Sequence, residues 1–545
     1  MIMQKSPIQL FKNCTILCID KKNTIAEAMA ISEGKILAVG TLSDVQAKLR
    51  GDAPIKVDMK GACIVPGFID AHMHPGMYIY FKTQLDVSGV RGYAVLNRIL
   101  QAEDKKRKEG EWILGVDLME DLFEDPAERH FPTRWDLDKA CPARPVVVIR
   151  HDGHICSTNS PALAAMGIDR AKAVQFKTGT GEIRVDAAGE PTGIFTEGAT
   201  NFPLANVPMP NMDRLKDAGG NFSRDLAAFG ITTVGGIFQL GAEGIAGEAG
   251  AVEMALMELL IKDNVIDQDI VFYMVTGKPK QLKRVERTLQ RLSGDSGRFV
   301  LGGIKLYSDG SFGARTAAMN EPYSDSLSGE CGFMVKDHDT LYALVKETNE
   351  LGYQVITHAI GDKANRLVVD VYKEVLAEHN KPHRYRIEHA STLTTDTMAD
   401  AARLGIIIAS QPAFINSEFT WLERRLGPDR VKQTYPFKSI IDAGIVLAGA
   451  SDAPVESANV LKALQACVTR HGLVKGECIG VMDAIRVFTW NAAYALNQEK
   501  SKGSIEPGKI ADFIVLDKNP AKVPSDAVEK IKLLATYQRG KKIYP

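Results

Sequence analysis

Apolar positions along this chain fall into two textures. From residue 211 onward, short unbroken runs of apolar and β-branched residues recur, bounded mostly by glycine, with longer stretches rich in Ala, Leu, Lys and Glu between them. The runs are GITTVGGIF (230–238), DIVFYMV (269–275), RFVLGGIKLY (298–307), GYQVITH (352–358), RYRIEH (384–389), GIIIASQ (405–411) and GIVLAGASD (444–452), and ACIVPGFIDAH (62–72) makes an eighth. Unbroken runs, as opposed to alternating ones, mark strands buried on both faces, the pattern of a parallel sheet. Intervening segments such as AVEMALMELLIKDN, DTLYALVKETNELG and DKANRLVVDVYKEVLAEHN carry helical patterning. Eight such strands with crossover helices predict an α/β fold, a (β/α)8 TIM-like barrel.

Two parts do not fit a barrel. NCTILCID, AEAMAISEGKILAVG and IKVDMKGA near the start read as short strands with turns, as do GSIEPGKIADFIVLDKNP and IKLLATYQRGKKIYP near the end. One small composite β-sandwich is therefore expected from residues 1–62 and 497–545, with the barrel in 63–77 and 211–496. The interval 78–210 is far longer than an ordinary βα loop. It carries a helical YAVLNRILQAEDKKRKEG, a strand RPVVVIRH and a hairpin at GEIRVDAAGEPTGIF, so an inserted α+β lid subdomain is expected after the first strand.

Composition narrows the class. Hydrophobic residues make up 45% and charged residues 24% of 545, ordinary proportions for a globular enzyme. A formal net charge of -1 argues against a nucleic-acid partner or an anionic membrane surface, both of which select basic faces. No apolar stretch of about 18 residues is present, and the N-terminus lacks the basic-then-apolar pattern of a signal peptide. The eight cysteines are scattered without a CxxC pair, so a cytoplasmic location fits best. EDKKRKEGE (103–111) reads as a solvated helix face. The glycine turns SDGSFG and AIGDKAN do not match a P-loop.

Candidate chemistry lies where the apolar runs stop. In GFIDAHMHP (67–75) a strand ends in His72 and His74, and residues two apart on a strand face the same side. Taken alone, HxH is as compatible with two hydrogen-bonded loop histidines. The other strands change the balance: QVITHAIGD ends in His358, YRIEHAS in His389 and VLAGASDAP in Asp452. Four of the eleven histidines thus occupy equivalent strand ends. Imidazoles and a carboxylate around a concave mouth are a ligand set for a divalent metal, zinc first. Lys305, inside LGGIKLYSDGS, is costly to bury unless paired or neutralised. Two readings stand: an ion pair with a strand-end acid such as Asp309, or capture of carbon dioxide by the deprotonated amine as an anionic carbamate.

These residues resemble the amidohydrolase superfamily, in its YtcJ-like branch that includes N-substituted formamide deformylases. The matching motifs are PGFIDAHMHP, IKLYSDGSFGARTA, THAIGDKA, RIEHAS, ASDAPV, FTWNAAYAL and GSIEPGKIADFIVLD, spanning residues 66–517. In the insertion, RWDLDKACPARPVVVIRHDGHICSTNSPAL is also similar, though the branch usually carries an aromatic residue where Cys156 or Ser157 stands. The resemblance implies a distorted barrel with a composite sandwich. It makes His72, His74, His358, His389 and Asp452 metal ligands and Lys305 the carbamylated lysine, with two ions if the carbamate forms and one if not. It further implies hydrolysis of a C–N bond in a small amide-type substrate, with Asp452 as general base and acid. His154 is a candidate substrate contact or loop cap, Arg315 a candidate anion contact or salt-bridge partner, and Asp309 a further candidate substrate contact. A homodimer is the expected assembly. A deaminase or ester-like hydrolase is the rival chemistry, and an inactive barrel scaffold the rival without chemistry.

Overall fold

A computed structural model describes residues 7–49, 53–151, 153, 155–178, 181–241, 250, 252–326, 328–378 and 384–545. Eight strands form one sheet in chain order: β1 (Phe68–Met73), β2 (Ile231–Gln239), β3 (Asp269–Val275), β4 (Phe299–Tyr307), β5 (Gln354–Ala359), β6 (Arg386–His389), β7 (Ile407–Ser410) and β8 (Leu447–Gly449). The ladders are parallel. All nine residues of β2 and all seven of β3 are buried, as unbroken apolar runs require. The helices that follow strands show the complementary period. Helix His338–Glu350 starts at Asp337, whose carboxylate accepts the Thr340 N–H at 2.9 Å, and buries Leu341 and Val345 four residues apart.

The last strand does not ladder fully with the first, and bonds from the segment just past β8 join them instead. The Asp452 N–H donates to the His72 carbonyl at 2.8 Å, and the His74 N–H to the Ala453 carbonyl at 2.8 Å. Buried Asp70 accepts from the Ser451 N–H at 3.0 Å and from the Ser451 hydroxyl. The barrel is therefore nearly closed, and its seam brings two candidate site segments face to face.

The eighth apolar run, read from the sequence as one strand, is two. Cys63–Pro66 pairs with Phe513–Leu516, in a six-stranded sheet that also holds Thr15–Leu17, Ile25–Ala26, Leu533–Gln538 and Lys541–Tyr544. Gly67 carries the chain from that sheet into β1. A Cβ there would lie 2.6 Å from the Thr232 side chain, and the Gly67 N–H donates to the Asp512 carbonyl at 3.0 Å. A four-stranded sheet holds Lys35–Gly40, Ala28–Ser32, Gln9–Lys12 and Ile55–Asp58. Residues of both sheets share one core: Phe11, Met29 and Ile36 from one, Ile16, Ile64, Phe513 and Val515 from the other. Phe11 meets Phe513 edge-on at 5.2 Å, and Tyr537 stacks on Phe513 at 4.4 Å.

Residues 76–222 and 239–257 form a separate compact unit, which takes in more chain than the expected 78–210. Its seven-stranded sheet sends Leu114, Val147 and Phe195 to one core and Ile113, Val146 and Val148 to another. That alternation shows both faces of the sheet covered. Among the described residues no helix is long and apolar enough to cross a membrane.

Gly303 on β4 pairs with Gln354 on β5, and a Cβ at Gly303 would fall 1.8 Å from the Gln354 carbonyl oxygen. Gly303→Ala is expected to destabilise the protein by about 1–3 kcal/mol or more through overpacking. Chemical denaturation checks this, and an unchanged midpoint would contradict so close an approach of the two strands.

Candidate metal centre

Asp452 sits just past β8 with φ of 61°, and His389 ends β6 with φ of 70°. Left-handed backbone is uncommon outside glycine, though His and Asp tolerate it better than most residues. Such conformations persist where surrounding bonds over-determine them; for Asp452 these include the bond from its N–H to the His72 carbonyl. Asp452 Oδ1 lies 3.3 Å from His72 Nε2 and 3.1 Å from His74 Nε2. These three residues are buried, and their ligand atoms all lie within 4.8 Å of one another. Asp452 Oδ1 is itself buried, and no hydrogen bond reaches it. A carboxylate oxygen facing two imidazole nitrogens that direct no N–H at it is an arrangement that a cation completes. The donor set, two imidazoles and a carboxylate, fits zinc or a similar divalent ion.

Partners on the far side of each imidazole indicate which nitrogen is free. His72 Nδ1 contacts Glu388 Oε2, which leaves Nε2 facing the cluster. His389 Nδ1 lies 2.8 Å from Gln411 Oε1, leaving its Nε2. His358 Nε2 lies 3.0 Å from the Gly310 carbonyl, an oxygen that only accepts, so Nδ1 is the nitrogen left over. The His358 and His389 rings are 4.4 Å apart, and His389 is 5.3 Å from His72. The structure thus gathers His72, His74 and Asp452 tightly and sets His358 and His389 beside them as a second pair.

Lys305 Nζ reaches His72 Nε2 at 3.3 Å and is almost fully enclosed, at 1% exposure. Burial brings its amine down to about 8, against the pull of the Glu388 and Asp452 carboxylates. Burial lowers His74, and it lowers His389 far more, with His358 adding to the latter, so both are neutral ligand-competent rings.

The remaining candidates fall elsewhere. Asp309 accepts backbone N–H bonds from Ala318, Ile360 and Gly361 at 3.0, 3.0 and 2.8 Å, which makes it a loop anchor. It lies 3.4 Å from His358 Nε2, and no Lys305–Asp309 ion pair occurs among the described residues. Arg315 gives Nε and Nη2 to the two Asp325 oxygens at 3.0 and 3.1 Å, so of its two readings the geometry supplies the salt bridge. Arg425 holds the same carboxylate at 2.8 Å. His154 lies outside the described residues. Glu388 and Gln411, absent from the sequence reading, touch His72 and His389. The available signal was a carboxylate inside the buried RIEH run and an amide directly after IIAS.

A nearly closed parallel barrel with histidines and a carboxylate at its strand ends has the architecture of a metal-dependent hydrolase. The chain belongs to the amidohydrolase family, whose model matches residues 56–544. It is 30% identical to the amidohydrolase-family protein YtcJ of Bacillus subtilis (strain 168), over 95% of this chain and 96% of that one. It is 26% identical to an N-substituted formamide deformylase of Arthrobacter pascens, over 97% and 96% of the two chains. Among solved structures, an uncharacterized metal-dependent hydrolase from Pyrococcus furiosus superposes with a TM-score of 0.72 at 26% identity, covering 94% of this chain and all of that one.

With Arg315 committed to Asp325, Arg315→Gln is expected to lower stability by about 1 kcal/mol or less. KM values for anionic and neutral substrates should keep the same ratio. A selective rise for anionic substrates would return Arg315 to the binding site.

Proposed function

We propose that this protein hydrolyses a non-peptide C–N bond in a small amide-type molecule: an amide, formamide, imide or cyclic amide. The observation that carries the reading is the buried Asp452 Oδ1, unbonded and 3.1–3.3 Å from two imidazole nitrogens, at the end of the last barrel strand. The similarity to a deformylase of N-substituted formamides supports the choice of bond.

His72, His74 and Asp452 are the residues that would hold a divalent ion, zinc first, and Lys305, His358 and His389 those that would hold a second. Such an ion supplies Lewis acidity to water and to a carbonyl oxygen. The chain's own groups do the rest. Ionised Asp452 orients a water molecule, takes its proton during attack on the carbonyl carbon, and returns that proton to the departing amine nitrogen. General acid–base transfer of this kind contributes about 10²–10⁴-fold. Lys305, with its amine lowered to about 8, keeps an uncharged fraction near neutrality. The lone pair of that nitrogen adds to the carbon of carbon dioxide, the C–N bond forms as one C=O π bond opens onto oxygen, the N–H proton passes to water, and the anionic carbamate would offer two oxygens beside His72.

The test is a panel of N-formyl amines, N-acyl amines, cyclic imides, esters and aminopurines, assayed after chelation and again after zinc and bicarbonate are restored. Chelation is expected to abolish turnover, and zinc to restore amine release from a formyl or acyl amide. Ammonia released from an aminopurine alone would favour a deaminase. Stoichiometric zinc with no turnover of any compound would favour the scaffold. Lys305→Met is expected to reduce zinc content from two ions per chain to one by elemental analysis, and unchanged content would remove the carbamate.

A further inference from the structure

Below the candidate metal centre the barrel interior holds a column of buried polar side chains that the proposed reaction does not use. Its lowest member is Gln354 on β5, whose Oε1 accepts the Tyr273 hydroxyl at 2.6 Å. The Tyr273 oxygen lies 3.2 Å from Arg386 Nη1, and Arg386 Nη2 donates to the Ala71 carbonyl at 3.0 Å. Arg386 grips Glu388 with two bonds, Nε to Oε1 at 2.9 Å and Nη2 to Oε2 at 2.8 Å. Glu388 Oε2 then meets His72 Nδ1. The side chains of His72, Arg386 and Glu388 are all 0% exposed.

Such an arrangement is not cheap. Burying an ion pair costs desolvation that its own attraction seldom more than repays, so a hydrophobic pair would serve stability at least as well. Every hydrogen-bonding atom of the pair is directed: the arginine is fixed by Tyr273 and the Ala71 backbone, and the carboxylate by the arginine. What this geometry adds is a rigid acceptor against one nitrogen of one ligand. A carboxylate there requires N–H at Nδ1 and so leaves the Nε2 lone pair facing Asp452 and Lys305. Carboxylates behind ligating histidines set ring orientation and basicity in this way.

We propose that Glu388 is a positioning residue: held by Arg386, it fixes the tautomer and orientation of His72 and thereby sets the affinity of the centre for its ion. The inference rests on the proposed metal centre. Arg386 has a defined part, because it neutralises Glu388 and keeps the carboxylate from drawing a second proton or a misplaced cation into the barrel. A glutamine at 388 can turn its amide N–H toward His72 Nδ1, which would move the ring proton to Nε2 and close the ligand site.

The test measures zinc affinity by competition with a chromophoric chelator, on the full chain, for the native protein, Glu388→Gln, Glu388→Asp and Arg386→Gln/Glu388→Gln. Glu388→Gln is expected to bind about 10–100-fold more weakly. Glu388→Asp, which keeps a carboxylate acceptor, should recover part of that loss. Imidazole ¹⁵N shifts of the metal-free protein should place the His72 proton on Nδ1 natively and shift it toward Nε2 in Glu388→Gln. If Glu388→Gln does not fold because Arg386 is left unpaired, the double variant removes that charge and is read instead. A folded variant with native zinc affinity and native ¹⁵N shifts overturns the proposal. Failure of the native protein to bind zinc would instead overturn the metal centre itself.

Discussion

Closure of the barrel between its last and first strands is the constraint on which the rest depends. β8 is three residues long and β1 six, and their junction is completed by side chain and backbone of the segment past β8, not by a regular ladder. Asp70 bonds to Ser451, and the Asp452 N–H to the His72 carbonyl. The same few residues that close the sheet present His72, His74 and Asp452 to one point. Asp70 bears a cost for this: burial brings its carboxyl up to about 6, although the Ser451 and His72 donors oppose the rise. A seam built from buried polar groups is stable where each is bonded, and among Asp70, Ser451 and Asp452 it is Asp452 Oδ1 that has no donor.

Much of this was legible in the sequence because a polar residue ending an unbroken apolar run has few places to go. His72, His358, His389 and Asp452 follow that rule, and the barrel follows from the runs themselves. The rule fails where backbone conformation decides. Nothing in ASDAP marks Asp452 as left-handed, nor does RIEHAS mark His389, yet these φ values aim the side chains. Cys63–Pro66 and β1 share one apolar texture, and only the glycine between them, pressed against Thr232, separates two sheets. Asp309 and Arg315 sit in a glycine-rich segment after β4, where sequence cannot distinguish a loop anchor from a ligand contact. Three backbone N–H groups claim one and Asp325 the other.

Glu388 shows a different limit. A strand reading RIEH places Arg386 and Glu388 two apart, on the same side. On a solvent-facing strand that would be an ordinary surface pair. Inside a barrel it is a buried ion pair, and the distinction depends on closure, a property of all eight strands together. The part played by Glu388, one residue before His389, therefore shows only once the barrel is closed.

The charge balance of the enclosed groups would suit a cation. Arg386 and Glu388 cancel, and burial keeps His74 and His389 neutral. Among the described residues Lys305 is the compensating charge left beside Asp452, and burial makes that charge easier to lose. Each proton that leaves Lys305 therefore makes the cluster more negative by one unit, in surroundings where screening by water is weak. Nearby oxygen and nitrogen lone pairs already face inward. Desolvation thus does two things with one expenditure of free energy: it brings the lysine amine down to about 8, so that its proton leaves more readily, and it raises the attraction of what remains for a divalent ion.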